Sequence, residues 1–516
     1  MLRSLGEFLH AGSRPSLADV LLAAVVARLL VLGKGWSALL RDGDTGWHIR
    51  TGEWILQHRA VPTTDLFSFS RSGQQWFAWE WLSDVVMALV HQRWGLAGVS
   101  VLACIVIVLA AMVLFRHMLW RGANVVVAFA VLMVAVGAAS VHYLARPHVF
   151  TILLMAVSLW LVECDRRRPR WTVWLLAPLS VVWINLHGGF FALPASLVVL
   201  AAGYGVEGWL DAEQRAAKWT AGRRYVAVAA ATLAASVINP YGIALHRHVG
   251  RYLASDWIRN RISEFQSPSF RSEDMLQFEI LLFVSLALIG VLLANKRVAD
   301  ALLVLVWAHF ALSSARHIPL FVVVTAPLAA AEISRLWGDW VSRRSPRSVV
   351  GTARCWGADM GPSFRRSSVW GPIFAIGVML ATPSNRWPTD FPEESFPVSL
   401  VRSESSRLTA ARVYTSDQWG DYLIYKGWPK QRVFFDGRSD FYGPALGDEY
   451  LILMGGRRGW ANLLDKYRIN MALVPCNGPL VSLLDMHPAW KRVREDKVGV
   501  LYERRDNRVS SAANPR

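Results

Sequence analysis

Residues 41–54, Arg41-Asp42-Gly43-Asp44-Thr45-Gly46-Trp47-His48-Ile49-Arg50-Thr51-Gly52-Glu53-Trp54, hold the richest set of reactive side chains in the chain. Asp44 and His48 stand four apart, so a helix here would carry both on one face. A carboxylate held at a membrane mouth can act as a general base, taking the proton from an attacking hydroxyl. It can also ligate a divalent metal, the one cofactor this chemistry leaves open, but an Asp/His pair alone supplies too few ligands and no metal residues are assigned. The competing role for Asp42 or Asp44 is to cap the helix that Trp47–Leu56 should form.

Three further positions have suitable chemistry. Arg146 and His148 flank Pro147, and Arg316-His317 precedes Ile318-Pro319. Arginine suits bidentate binding of a phosphate, although each of these would equally snorkel to lipid headgroups. Asn185 and His187 lie in Trp183-Ile184-Asn185-Leu186-His187-Gly188-Gly189, where the glycines would also serve a tight turn. Glu80 and Asp84, four apart, read as a solvated helical face, and Arg438 with Asp440 as a local ion pair in a turn whose other reading is a ligand site at a strand end.

The elements that must position these groups are membrane helices. Of the 516 residues, 53% are hydrophobic and 18% charged, and the mean hydropathy is +0.30. Apolar runs recur over 17–34, 95–115, 124–142, 147–163, 171–187, 189–208, 225–238, 277–294, 300–315, 317–335 and 369–383. A hydrocarbon core needs about 20 apolar helical residues, fewer with local thinning, so these read as about eleven spans. The 25 Trp suit interfacial belts. The N-terminal Arg3, Arg14 and the apolar stretch from Leu17 resemble a signal peptide without a small-residue cleavage site, and are read as a retained first span.

The net charge of +17 sits in short loops: Arg166–Arg170, Arg215–Arg224, Lys296-Arg297 and 336–368. With a cytoplasmic N-terminus and alternating spans, all four face the cytoplasm, which explains the charge better than nucleic acid does. On this reading the inner turns carry little beyond orienting charge. Asp42, Asp44, His48, Arg146, His148, Asn185, His187, Arg316 and His317 all fall at the external ends. Segment 79–94 is read as an amphipathic helix at the interface, since a span there would reverse every later loop. The basic loop 240–276 falls outside, where longer loops follow the charge rule less strictly.

The fold expected is thus a polytopic α-helical membrane domain over 1–383, with an external loop at 35–94, and a soluble, periplasmic α/β domain over 384–516. In that tail, strand-like runs (Arg412–Thr415, Arg432–Asp436, Met471–Pro475, Val498–Tyr502) alternate with helical ones (Asp417–Tyr425, Trp460–Tyr467, Leu480–Met486). Cys104, Cys164, Cys355 and Cys476 are scattered and form no CxxC pair. No P-loop, GxSxG or HExxH motif occurs, and the GxGxxG string Gly203–Gly208 closes an apolar run instead of following a strand, so ATP, dinucleotide and metalloprotease chemistry lack support.

The first loop, its place after span one, the helix that follows and the soluble tail resemble the GT-C superfamily of membrane glycosyltransferases, which use polyprenyl-phosphate-linked sugars. More narrowly, DGDTGWHIRTGEWILQHRAVPTTDLFSFS with WEWLSD, ARPH, WINLHGG and FFDGRSDFYG resembles a group of large bacterial membrane proteins, over most of the chain. The GT-C resemblance implies a catalytic acid early in the first loop, hence Asp44 or Asp42. Better-known members often carry an Asp-Glu pair where Asp42-Gly43-Asp44 stands, and His-Pro-Pro where Trp79-Glu80-Trp81 stands. The resemblance implies a multi-pass protein of the bacterial inner membrane that meets membrane lipids and a polyprenyl-phosphate sugar donor. Arg146 and Arg316 would hold the donor phosphate, and His48, His148 and His187 would orient sugar hydroxyls. A lipid-glycan flippase or transporter would instead need inverted repeats or midplane charges. A non-catalytic scaffold would need neither aspartate.

Overall fold

A computed structural model describes residues 17–31, 34–272, 275–344, 347–365 and 370–505. Arg3, Arg14, Arg366 and parts of the first and last expected spans (32–34 and 369) touch or lie beyond the edges of these segments, with 32–33, 369 and the three arginines outside them. The helices of eight or more residues are α1 (Leu17–Leu30), α2 (Asp44–His58), α3 (Trp81–Trp120), α4 (Val125–Ala139), α5 (His148–Arg167), α6 (Leu176–Leu186), α7 (Ala192–Leu210), α8 (Arg215–Ala235) and α9 (Ile243–Ala254). They continue with α10 (Leu276–Ala294), α11 (Val298–Ser313), α12 (Ile318–Val341), α13 (Val349–Arg365), α14 (Trp370–Ala381), α15 (Asp417–Gly427), α16 (Ser439–Met454) and α17 (Pro479–Met486).

Each expected span falls on a helix. Among the described residues, six helical segments are long and apolar enough to cross a bilayer: Trp81–Trp120, Val125–His142, His148–Arg167, Gly188–Leu210, Leu276–Ala294 and Ala315–Val341. Four more are apolar but shorter: Leu21–Leu30, Trp171–Leu186, Val298–Ser313 and Trp370–Ala381. The run 225–238 forms most of the second half of α8, whose first half carries Arg215, Lys218, Arg223 and Arg224 and packs along α7. The helix expected over 79–94 starts at Trp81 and breaks from the apolar stretch at Gly95, whose φ of 60° and ψ of −156° interrupt α3. A left-handed φ costs glycine little, and no side chain is needed there.

The basic turns do more than orient the chain. α5 carries His148 at one end and Arg166 at the other, about 30 Å away at 1.5 Å per residue. Around that far end Arg166 pairs with Asp300 (2.6 Å) and Glu163 (3.2 Å), and Arg121 with Glu163 (2.8 Å). Arg224 pairs with Asp165 (2.8 Å) and Lys218 with Glu207 (2.7 Å). Arg297 bridges Asp300 (2.7 Å) and Glu332. The expectation of bare orienting charge is therefore corrected: acidic residues inside the helix ends, hidden among arginines in the sequence, staple α3, α5, α7, α8, α11 and α12 together.

The tail builds a four-stranded sheet from β1 (Val413–Tyr414), β2 (Met471–Pro475), β3 (Trp490–Glu495) and β4 (Gly499–Arg504), in the order β1-β2-β4-β3. β1 runs parallel to β2, and the other pairs are antiparallel. The strand expected over 432–436 is reduced to bridges at Val433, which joins Val413 on one side and Ser68 on the other. The first loop is thereby laced to the tail: Phe69 N donates to Val433 O (3.0 Å), Val433 N to Phe67 O (3.0 Å) and Ser70 Oγ to Phe434 O (2.5 Å).

Candidate active site

α2 places Asp44. Asp42 Oδ1 accepts the backbone N–H of Asp44 (2.9 Å), so the capping role belongs to Asp42 and the Asp44 side chain is left free of it. Glycines on two faces then wedge the helix. A Cβ at Gly46 would lie 2.7 Å from Asp421 O on α15, and one at Gly52 only 1.9 Å from Asp84 O on α3. The Gly spacing in the first loop thus clamps α2 between the tail and α3, and Asp44, 5% exposed, is fixed at its first turn.

Arg146 is the hub of the site. Its guanidinium meets Asp44 Oδ2 at 2.7 Å, Asp42 Oδ2 at 2.8 Å and Glu264 Oε1 at 2.8 Å. Burial raises Asp44, Arg146 pulls it back and the carboxylates of Asp42 and Glu264 push it up again; the balance lies at about 7. Glu264, which burial would raise, is held below the ordinary carboxylate range by Arg146 and Arg316. Burial would lower Arg146, but the surrounding carboxylates hold it charged.

A second layer stands behind. His48 Nδ1 lies 2.6 Å from Asp84 Oδ1, and His48 Nε2 lies 3.5 Å from Glu80 Oε2. Glu80 Oε1 continues to His187 Nε2 at 3.3 Å, and His187 Nδ1 contacts Thr151 Oγ1 at 2.8 Å. Burial, partly opposed by Arg146, pushes Glu80 up to about 8, so it stays largely protonated at neutral pH. Burial holds His48 well below the ordinary imidazole range, as a neutral ring. Glu80 and Asp84 are therefore not a solvated face: the helix turns both inward onto His48.

A cavity of about 620 Å³ opens over this cluster. Asp44, Glu80, Arg146, His148, His187, Glu264, Arg316 and His317 line it, with Arg438, Ser439 and Asp440 from the tail and aromatic walls of Trp47, Trp76, Tyr252 and Phe265. The structure thus brings Asp44, Arg146, His148, His187, Arg316 and His317 to one surface. It does not bring His48 there, since that ring is 1% exposed behind Glu80. Asn185 also lies off the cavity: its Oδ1 accepts from Trp81 Nε1 (2.6 Å) and its Nδ2 donates to Val181 O (2.7 Å) and Ile238 O (3.0 Å), which makes it a helix-joining group. His148 Nε2 lies 2.5 Å from His142 O, and His317 Nδ1 lies 3.2 Å from Phe310 O. Arg316 stacks over Phe265 at 4.3 Å, reaches Tyr252 Oη at 3.4 Å and makes no ion pair among the described residues.

Arg438 departs from the expected pairing with Asp440. Buried to 2% exposure, it binds Asp436 (2.6 Å) and Asp65 (2.9 Å), joining the FFDGRSDFYG segment to the first loop, while Asp440 pairs with His248 (2.9 Å). Sequence reasoning missed Glu80 and Glu264 as cavity groups, while the turn that carries Asp440 had a ligand site as one of its two readings.

The residues do not fit a resident divalent cation. Three carboxylates converge here, but on the guanidinium of Arg146, which already supplies the positive charge a cation would bring. Among the described residues no group of three His, Cys, Asp or Glu side chains is arranged to hold a metal.

No protein-family model and no curated protein matches the chain. Among solved structures it is similar to the archaeal oligosaccharyltransferase AglB from Archaeoglobus fulgidus, in complex with an inhibitory peptide and a dolichol-phosphate. That match has a TM-score of 0.52 and 11% identity and covers 89% of this chain and 69% of the other. A looser match, TM-score 0.45 and 13% identity, covers 96% of this chain and 99% of ArnT from Cupriavidus metallidurans bound to undecaprenyl phosphate. At such identity the first likeness speaks for architecture alone: the chain shares the fold of the oligosaccharyltransferase AglB.

Proposed function

We propose that the protein transfers a sugar from a polyprenyl-phosphate donor to an acceptor hydroxyl at the external face of the bacterial inner membrane. In this reading the chain crosses the membrane about eleven times, counting the shorter apolar helices, with its N-terminus cytoplasmic and its tail periplasmic. The observation that carries the proposal is that a buried carboxylate, Asp44, and a cation with no ion pair among the described residues, Arg316, line one cavity. A dolichol-phosphate in the AglB structure is consistent with a lipid phosphate as ligand.

The chemistry follows from these groups. The acceptor hydroxyl attacks the anomeric carbon, and Asp44 takes its proton. The bond from that carbon to the phosphate oxygen breaks, and the electron pair leaves on the phosphate. A phosphate leaving group needs charge stabilisation more than a general acid, and Arg316 provides it. Arg146 acts on Asp44 rather than on the donor, because three carboxylates already share its guanidinium. His148, His187 and His317 are in place to orient sugar hydroxyls. Asp44 is the better base of the two aspartates, since Asp42 caps α2 and does not line the cavity.

The test is Asp44→Asn and Asp42→Asn, each assayed for transfer from a polyprenyl-phosphate-linked sugar. Loss of a general base lowers the rate by roughly 10²–10⁴, expected for Asp44→Asn alone. Transfer unchanged in both variants would remove the reading. Cellular function that survives both changes, with no transfer by the unaltered protein, would point to a scaffold.

A further inference from the structure

Two buried carboxylates meet behind the cavity wall. Asp421, on α15 of the tail, is 0% exposed, and Asp44 on α2 is 5% exposed. Each uses one oxygen: Asp421 Oδ1 accepts the Gly437 N–H at 3.0 Å, and Asp44 Oδ2 meets Arg146 at 2.7 Å. The other two, Asp44 Oδ1 and Asp421 Oδ2, have no partner among the described residues. Both border the space where Gly437 lacks a side chain, since a Cβ built there would lie 1.9 Å from Asp44 Oδ1 and 2.9 Å from Asp421 Oδ2. Two buried acceptors facing each other, with no donor among the described residues, are satisfied together by one proton.

We propose that Asp421 is a positioning residue of the base: its carboxyl keeps a proton and donates it as a hydrogen bond to Asp44 Oδ1, so that the tail completes the catalytic site. The inference rests on the proposed function for its catalytic meaning, while the shared proton stands on geometry alone.

The surrounding charges decide which member keeps the proton. On the Asp44 side stand Arg146 and the acids Asp42, Glu264 and Glu80. The guanidinium touches Asp44 directly and favours its ionised form. On the Asp421 side stand Asp417 and Asp436, with Arg438 already bound by Asp436 and Asp65. No cation touches Asp421 among the described residues, and burial, with Asp44 next, holds it well above the ordinary carboxyl range. The proton therefore rests on Asp421, and Asp44 is ionised with a donor to one oxygen and Arg146 on the other. The pair titrates as a unit. Asp421 lowers the pH at which Asp44 becomes a competent base, and Gly437 is the residue that lets the two approach.

Full-length protein in detergent tests this in two ways. At a pH of about 8, far above the ordinary carboxyl range, the infrared difference spectrum of the unaltered protein against Asp421→Asn should show the C=O stretch of a protonated carboxyl, lost in the variant. That reading needs no transfer, so a pair that stands without activity would refute the function and leave the shared proton intact. In the transfer assay, Asp421→Leu removes the donor and should move the acid limb of the pH–rate profile upward by about one pH. Asp421→Asn, which fits the same space and offers an N–H, should restore it. Gly437→Ala, whose Cβ would enter the gap, should behave like the leucine variant. An absent infrared band, or an acid limb that stays in place in both the leucine and the alanine variants, overturns the proposal. A residue that merely packed α15 would change yield and stability without moving that limb.

Discussion

Arg146→Gln separates two roles for the most highly connected cation in the site. The guanidinium stands 2.7 Å from Asp44 Oδ2. With charge centres about 4 Å apart, the attraction at an effective dielectric of 20 is about 4 kcal/mol, an upper bound because Asp42 and Glu264 share the same cation. An adjacent arginine ordinarily lowers a carboxyl pKa by about 1–3. Removing it leaves burial unopposed, and the two released carboxylates push Asp44 the same way. The Asp44 carboxyl, now near about 7, should therefore titrate at least about one pH higher. A base works only when ionised, so kcat/KM at neutral pH should fall by about 5-fold to 500-fold for a rise of about 1–3, and should return as the pH is raised. The assay is transfer from a polyprenyl-phosphate-linked sugar, with kcat/KM followed from roughly pH 6 to the alkaline limit of folding. If Arg146 instead bound the donor phosphate, KM would rise by a similar factor at every pH and alkali would restore nothing. A uniform loss of that kind, or an unmoved acid limb, would refute the reasoning.

Arg316→Ala should raise KM for the donor by about 10- to 100-fold, the value of a hydrogen-bonded charge on phosphate, and leave the acid limb where it is; substrate-saturation curves at two pH values check both. Treatment with a strong chelator should leave the transfer rate unchanged, because the convergence of Asp42, Asp44 and Glu264 is filled by Arg146; a loss restored by added divalent cation would reverse that. Thermal unfolding in detergent should show stability falling as pH rises. Asp44 at about 7 and Glu80 at about 8 bind protons in the folded state that the unfolded chain, with its ordinary carboxyls, has released. Their contribution is complete below about pH 4 and lost as pH passes through those two values, so the melting temperature of the Asp44→Asn, Glu80→Gln variant should depend less on pH than that of the unaltered protein.

The groups that sequence reasoning found share one property: each is a reactive side chain beside the end of an apolar run, so hydropathy alone located it. Arg146 before Pro147, His187 before two glycines and Arg316 before a helix start all reached the cavity on that signal. Glu80 and Glu264 did not have it. Glu80, four from Asp84 and followed by Arg93, carries the pattern of a solvated amphipathic helix, and only the histidines packed against it show that the face turns inward. Glu264 sits among the arginines of a long loop. Asn185 had the signal but serves Trp81 and two carbonyls. In the tail, Val433-Phe434-Phe435 reads as a strand because it is apolar, yet it bridges two neighbours through Val433 alone. β3 went unseen because Lys491, Arg492, Arg494 and Glu495 give an edge strand a mostly exposed face. The contact of α15 with α2 joins residues some 375 positions apart, as in Gly43 N donating to Gln418 Oε1, and nothing periodic in one sequence reports it.

Charge is abundant at both ends of the helix bundle, so charge alone does not mark the site; completeness of pairing does. At the far end Glu163, Asp165, Asp300 and Glu332 each meet an arginine, and Glu207 meets Lys218 and the Ala299 N–H. Around the cavity the pairing breaks down. Among the described residues, the buried carboxylate oxygens without a partner belong to Asp44, Asp84 and Asp421, all gathered on α2 and the two elements that clamp it. Arg316 faces the same space with a hydroxyl and a ring for company. Leaving a buried polar atom unsatisfied costs about 1–3 kcal/mol, a cost that the carboxylates about 30 Å away do not bear. On the proposed function the Asp44 and Asp421 oxygens meet this cost by sharing a proton, and Arg316, in the cavity wall without an ion pair among the described residues, is the cation left for a phosphate.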